Sequence, residues 1–339
     1  MQARLRFLGA ARNVTGSRHM LEVDDTRILV DCGLYQERQF ASRNWDPFVV
    51  PPASLRAVLL THAHLDHCGL LPKLVKEGFK GRIFCTAATA EIAQIVLLDA
   101  AKIQEEDAAF KRKRHKKEGR QGPHGDQPLY TAEDVEKCLP LFTSVEYGDT
   151  VAIAPGVEAV FSEAGHVLGS SFINVGIAGN GDSRNVLFSG DVGRKNRPII
   201  RDPDRAKDGD YILIESTYGD RVHGGREDIK AAIGEVIRQT RAAGGNLIVP
   251  SFALERAQEL LYFIHELQHE DAIPHLMVFL DSPMASAITK VFRHHPDLFD
   301  GGMRQLMRQH ESPFEFPGLR FTESTQESKA INTIKGTVV

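Results

Sequence analysis

The sequence predicts an α/β protein of two domains, and three observations carry that expectation. Residues 1–60 read as short strands bounded by turn residues, and further short strands run from Val151 to Glu215. After Glu215 strands alternate with helical stretches, the pattern of βαβ units and a mostly parallel sheet. The 339 residues, 42% of them hydrophobic, suffice for about two cores. The expected boundary lies near Thr217, giving domains 1–215 and 216–339. The same composition excludes intrinsic disorder, and no run approaches the ~18 apolar residues of a membrane span.

Taken in order, Arg4–Leu8, His19–Val23 and Arg27–Val30 are short alternating or apolar runs, separated by Asn13–Ser17 and by Asp24-Asp25. Ala57–Leu60 is apolar throughout, as a strand buried on both faces must be. A helix over Leu70–Lys76 and a strand over Arg82–Cys85 follow. Ile92, Ile95, Val96, Ala100 and Ile103 then form one stripe of a long helix from Ala87 to Lys117. Residues 118–129 are loop by composition. Thr131, with Asp134 three positions on, opens a short helix ending near Pro140. Strands resume at Val151–Ile153, Glu158–Ser162, Ser171–Val175, Asn185–Phe188 and Tyr211–Glu215. The second domain is expected to contain helices over Arg226–Ala243, Leu254–Gln268 and Pro283–His294, with strands at Asn246–Val249 and His275–Leu280. Gly336–Val339 reads as the opening of a strand, so the second domain is expected to be incomplete in this chain.

The formal charge of −4 argues against a protein that grips nucleic acid through bulk positive charge, though a local groove or bound metal can still do so. Lys111–Lys117 is expected to be a solvated helix end rather than an RNA contact. Cys32, Cys68, Cys85 and Cys138 form no CxxC pair, and the N-terminus has no apolar block; reduced thiols in a cytoplasmic protein are expected.

The chemistry concentrates in His62-Ala63-His64-Leu65-Asp66-His67, directly after the apolar strand. Imidazoles with a carboxylate suit Zn²⁺ in an open catalytic site, whereas a closed structural site would favour thiolates. Two later positions are expected to complete the site: His166, between glycines, and Asp191, in Ser189–Gly193, each follow a strand of the same apparent sheet. Asp31 follows another strand and is expected to support the ligands from behind.

These residues resemble the metallo-β-lactamase fold, an αββα sandwich with a dinuclear zinc centre. The resemblance implies one zinc on His62, His64 and His166, and a second on Asp66 and His67, with Asp191 bridging. Ile214–Arg221, Pro250–Leu261 and Asp281–Ala285 are similar to signatures of the β-CASP insertion found in nucleases of that superfamily. So are Gly9–Ser17 and His19–Glu22 near the N-terminus. The whole is most similar to prokaryotic relatives of the messenger-RNA 3′-end cleavage endonuclease. A zinc-dependent ribonuclease acting on single-stranded RNA, endonucleolytic or 5′-to-3′ exonucleolytic, is the implied activity, with Asp66, Asp191 and Glu215 in the catalytic machinery. A homodimer is a candidate assembly and a membrane is not a partner.

Ser251 and Ser282 precede expected helices, where free N–H groups favour phosphate, although plain helix capping explains them equally well. The competing functions are a thioester or lactam hydrolase of the same fold, disfavoured by the α/β insertion, and a non-catalytic RNA-processing scaffold. The resemblance also implies two further histidine motifs after the insertion, absent through Val339. The chain is therefore expected to hold one zinc well, the second poorly, and to turn over weakly. The remaining His223, His265, His269, His275, His294, His295 and His310 match no motif and are expected in surface or core roles.

Overall fold

The computed structural model describes residues 2–179, 181–206, 209–221 and 229–339. These divide into two compact units, one of residues 1–193 with 203–217, the other of 194–202 with 218–339.

In the first unit, β1 (Ala3–Phe7), β2 (His19–Val23), β3 (Thr26–Val30), β4 (Ala57–Leu59), β5 (Arg82–Cys85) and β6 (Phe142–Ser144) form one sheet in that order. The first three strands are antiparallel, and β3 to β6 are parallel. β6 was not expected: Phe142–Ser144 is too short to show a period, and only pairing with β5 makes it a strand. A second sheet has the order β11 (Tyr211–Leu213), β10 (Asp182–Phe188), β9 (Ser171–Gly179), β8 (Val157–Glu163) and β7 (Thr150–Ala154). The two sheets share one core, in which Leu21, Ile28 and Leu59 of the first pack with Phe161, Ile173, Val175 and Phe188 of the second. Val58 and Ile83, on the other face of the first sheet, are also buried. α4 (Ala132–Cys138) packs on both α2 (Leu71–Lys76) and α3 (Ala87–Glu118), and α3 reaches β6. α4 carries the expected capping box, Thr131 with Asp134.

In the second unit, β12 (Val278–Leu280) and β13 (Leu319–Phe321) pair in parallel, and Val338 bridges both Val278 and Leu247, again in parallel. The parallel arrangement agrees with the sequence reading, but Asn246–Val249 forms a single bridge rather than a strand. Around these lie α5 (Ile229–Ala242), α6 (Arg256–His269), α7 (Pro283–His294), α8 (Gly301–Arg308) and α9 (Thr325–Ile331). The expected start of α5 at Arg226 lies outside the described residues, as does His223. α8, β13 and α9 had no clear signal in the sequence. Glu259 on α6 accepts Arg197 Nε at 2.6 Å and also bonds Arg197 Nη2, which ties residues 194–202 into this unit.

Candidate metal centre

The apolar strand β4 delivers the chain into Leu60-Thr61-His62-Ala63-His64 in extended form, and a single helical turn, α1 (Leu65–Cys68), follows with His64 at its N-cap. Extension sets His62 and His64 two residues apart on one side. The helical turn then swings Asp66 and His67 back toward the same centre. His62 Nε2 lies 3.0 Å from His64 Nδ1, and His67 Nε2 lies 3.8 Å from Asp66 Oδ2.

Two further loops close on this segment. His166 leaves the end of β8 on a turn whose backbone is held by Ser170: its Oγ accepts the N–H groups of His166 and Val167 at 3.0 and 3.2 Å. Thr86 and Thr89, at the start of α3, donate to Gly169 O at 2.8 and 2.9 Å and fix the far side of the turn. His166 Nε2 thereby sits 3.3 Å from His64 Nδ1. Asp191 follows β10; its Oδ2 lies 3.4 Å from His166 Nε2 and 3.9 Å from that of His62, whereas its Oδ1 faces His67 Nε2 at 3.2 Å. Two glycines permit this crowding. A Cβ on Gly33 would fall 1.6 Å from Asp66 O, and one on Gly193 1.7 Å from Gly165 O.

One ligand atom from each of His62, His64, His166 and Asp191 falls within a 4.8 Å cluster. The donors fit a divalent ion. Imidazoles bound tetrahedrally at about 2.0–2.1 Å have nitrogens ~3.3 Å apart, close to the 3.0 and 3.3 Å seen between the rings. Three nitrogens with a carboxylate suit zinc, and His64, His166 and Asp191 are each partly exposed, so the cluster opens to solvent on one side.

Asp31 is placed where support was expected. Its backbone has φ +59°, a left-handed conformation that aspartate tolerates better than most residues. Its Oδ2 lies 2.7 Å from His67 Nδ1, while Oδ1 accepts Thr61 N–H at 2.8 Å. This fixes the His67 ring with Nε2 toward the cluster. Thr61, 3.0 Å from His62 Nδ1, does the same for that ring; nothing in the sequence singled it out.

The electrostatics follow the burial. Burial, then the neighbouring His67, His64 and His166, holds His62 well below the usual histidine range, so its ring is neutral and able to act as a ligand. Burial and His166 push His64 down to about 4. Burial alone would lower His67 too, but the Asp31 and Asp191 carboxylates beside it outweigh that and raise it well above the usual value. Burial disfavours the charged form of Asp191, yet His67 and the other imidazoles hold its carboxyl far below the ordinary range.

Glu215 does not join the cluster. It lies just past β11, its Oε1 accepting Val192 N–H at 3.2 Å and its Oε2 Thr217 N–H at 3.2 Å, while its own N–H donates to Ser189 Oγ at 3.1 Å. The residue therefore braces the loop that carries Asp191. Of the two serines, both in the second unit, Ser282 caps α7 by accepting Ala285 N–H at 3.2 Å. Ser251 is exposed and caps no helix among the described residues, because α6 begins at Arg256, later than the sequence suggested, behind a left-handed Glu255 at φ +68°. The four cysteines are free and buried.

Comparison with known proteins matches residues 20–190 to the metallo-beta-lactamase superfamily domain and residues 257–339 to the Beta-Casp domain. Ribonuclease TTHA0252 of Thermus thermophilus is 36% identical over 98% of this chain and 70% of its own length. Transcription termination factor FttA of Methanocaldococcus jannaschii is 31% identical over 97% of this chain. The chain spans 49% of the length of that second relative.

Proposed function

The chain belongs to the β-CASP family of metallo-β-lactamase-fold proteins, and on that basis we propose that it is a zinc-dependent ribonuclease hydrolysing phosphodiester bonds of single-stranded RNA in the cytoplasm. The observation that carries this reading is the convergence of His62, His64, His166 and Asp191 donor atoms within 4.8 Å, on loops from separate strands. His62, His64 and His166 would take one zinc and Asp66 with His67 the other. Asp191 would serve both, since its Oδ1 faces His67 while its Oδ2 faces His166 and His62. Zinc bound there supplies Lewis acidity toward a phosphoryl oxygen and acidifies water near neutral pH.

The protein's own groups do the positioning. Asp31 and Thr61 orient the His67 and His62 rings, and Glu215 holds the Val192 backbone so that Asp191 keeps its place between the imidazoles. Ser251, which caps no helix among the described residues, is the serine we assign to a phosphate contact. Similarity to a ribonuclease over nearly the whole chain favours RNA over a thioester or lactam.

The test is cleavage of labelled single-stranded RNA with protein in excess, beside a thioester panel, using zinc-loaded protein and its Asp191→Asn variant. RNA cleavage that Asp191→Asn lowers by at least about 10²-fold supports the reading. Faster thioester hydrolysis, or RNA cleavage indifferent to zinc and to Asp191, refutes it.

A further inference from the structure

We propose that the C-terminal end of α3 is a second binding surface for single-stranded RNA, remote from the metal centre; the proposal deepens the ribonuclease reading and rests on it for the identity of the polyanion. α3 has 32 residues and, at ~1.5 Å per residue, is about 48 Å long. Its first turn holds the His166 loop through Thr86 and Thr89, so its last turns lie most of that length away.

Residues 111–120 hold seven Lys and Arg against one Glu, in a chain whose net charge is −4. Two of the cations are neutralised within the helix, Lys111 by Asp107 at 2.5 Å and Arg114 by Glu118 at 3.8 Å, and Arg120 also reaches Glu118. Lys113, Lys116 and Lys117 are exposed and have no carboxylate partner among the described residues. They stand at i, i+3 and i+4, where like charges repel and weaken a helix. Basic residues in a final turn do favour the helix dipole, but this run extends over two turns. Phe110 adds an aromatic ring to the same stripe, three and seven residues before Lys113 and Lys117, and is 64% exposed. Cations that track a backbone, with an aromatic face between them, are what single-stranded nucleic acid requires.

The stripe is also held in place. His115, on the opposite, buried side of the helix, lies 2.8 Å from both carboxylate oxygens of Asp126, and Arg112 Nη1 donates to Asp126 O at 3.4 Å. The following loop is fastened again where His124 stacks on Trp45, ring centres 4.1 Å apart and planes within 7°. The helix end is thus clamped at two points while its charges face solvent.

Binding of the wild-type chain is measured by fluorescence anisotropy across a salt series, with metal chelated so the probe stays intact. The probes are single-stranded RNAs of about 40 and about four nucleotides, the shorter being unable to span the helix. The variants are Lys113→Ala/Lys116→Ala/Lys117→Ala and Phe110→Ala, all at exposed sites; removal of like charges leaves thermal stability equal or higher. The triple variant is expected to lower the slope of log Kd against log salt by about two for the long RNA, at ~0.7 per phosphate lost. Its Kd rises about tenfold and that of Phe110→Ala about fivefold, and the short RNA, which can touch the patch but not reach from it to the metal centre, loses affinity in the same direction. An unchanged slope for the long RNA, no binding of it by the wild type, or loss of binding to phosphatidylserine vesicles in place of RNA overturns the proposal. The two readings fail separately. Loss of slope without any zinc-dependent cleavage removes the nuclease assignment and leaves this surface; cleavage with an unchanged slope does the reverse.

Discussion

Asp31 bonds the His67 ring, the Thr61 backbone N–H and the Thr61 hydroxyl, at a left-handed φ that asparagine also accepts. Asp31→Asn is therefore expected to fold, yet to leave His67 Nδ1 without its anionic partner. Zinc affinity should fall by about 10–100-fold, measured by competition with a chromophoric chelator; an unchanged affinity would show that the ring needs no such support. Glu37 acts by a different route. Its carboxylate accepts Val14 N–H at 2.9 Å, Thr15 N–H at 3.1 Å and the Thr15 hydroxyl, pinning the Asn13–Ser17 turn. Partial burial opposes its ionisation, but the bonds from Thr15 prevail and bring its pKa down to about 2 from an ordinary 4.5. A depressed folded-state pKa stabilises above the unfolded value and loses that contribution as pH falls toward the folded one. Glu37→Gln should thus cost about 1 kcal/mol at pH 7, after allowance for solvent screening. In urea melts that deficit should shrink steadily between pH 4.5 and pH 2. Burial pushes the Cys32 thiol up to about 12 and raises those of Cys68, Cys85 and Cys138 as well, so the native protein should resist alkylation at neutral pH.

Among the elements, the centre depends on loops that approach more closely than a side chain allows. Gly193→Ala sets a methyl 1.7 Å from Gly165 O, and Gly33→Ala sets one 1.6 Å from Asp66 O. Backbone must move in either case, and more than about 3 kcal/mol of stability should be lost, with zinc affinity falling alongside. Denaturant midpoints within error of the wild type would show that the loops have slack. Thr86 joins two elements, capping α3 through Thr89 N–H at 3.2 Å and donating to Gly169 O. Thr86→Ala should cost about 1–2 kcal/mol and loosen the His166 turn.

Across the full chain, every proposed metal ligand belongs to the first of the two units. Zinc should stabilise that unit by binding its folded form alone, by about 4 kcal/mol when free metal exceeds Kd a thousandfold. Calorimetry with and without a chelator should show the shift; equal melting profiles would exclude a preformed site. In the second unit an apolar cleft of about 560 Å³ is lined by Ile233, Val236, Leu247, Ile248 and Phe279, of which Val236 and Ile248 are exposed. Such exposure should bind a hydrophobic dye in the native state.

Local patterning in the chain was enough to single out the candidate ligands that the fold brings together and the elements that carry them. A continuous apolar run specified β4, and four metal-binding side chains within six residues could be recognised without knowing where they pointed. β2, α3 and the capping box of α4 were readable for the same reason. Folding settled what depends on partners distant in the chain. Three-residue strands such as β6 and β13 have no period of their own and exist through pairing. Thr61 became a ring-orienting residue only once the chain folded, and Glu215 proved to hold a loop rather than a ligand. Sequence can name the groups able to bind an ion; the glycine-permitted approach of loops brings His64 and His166, 102 residues apart in the chain, to 3.3 Å.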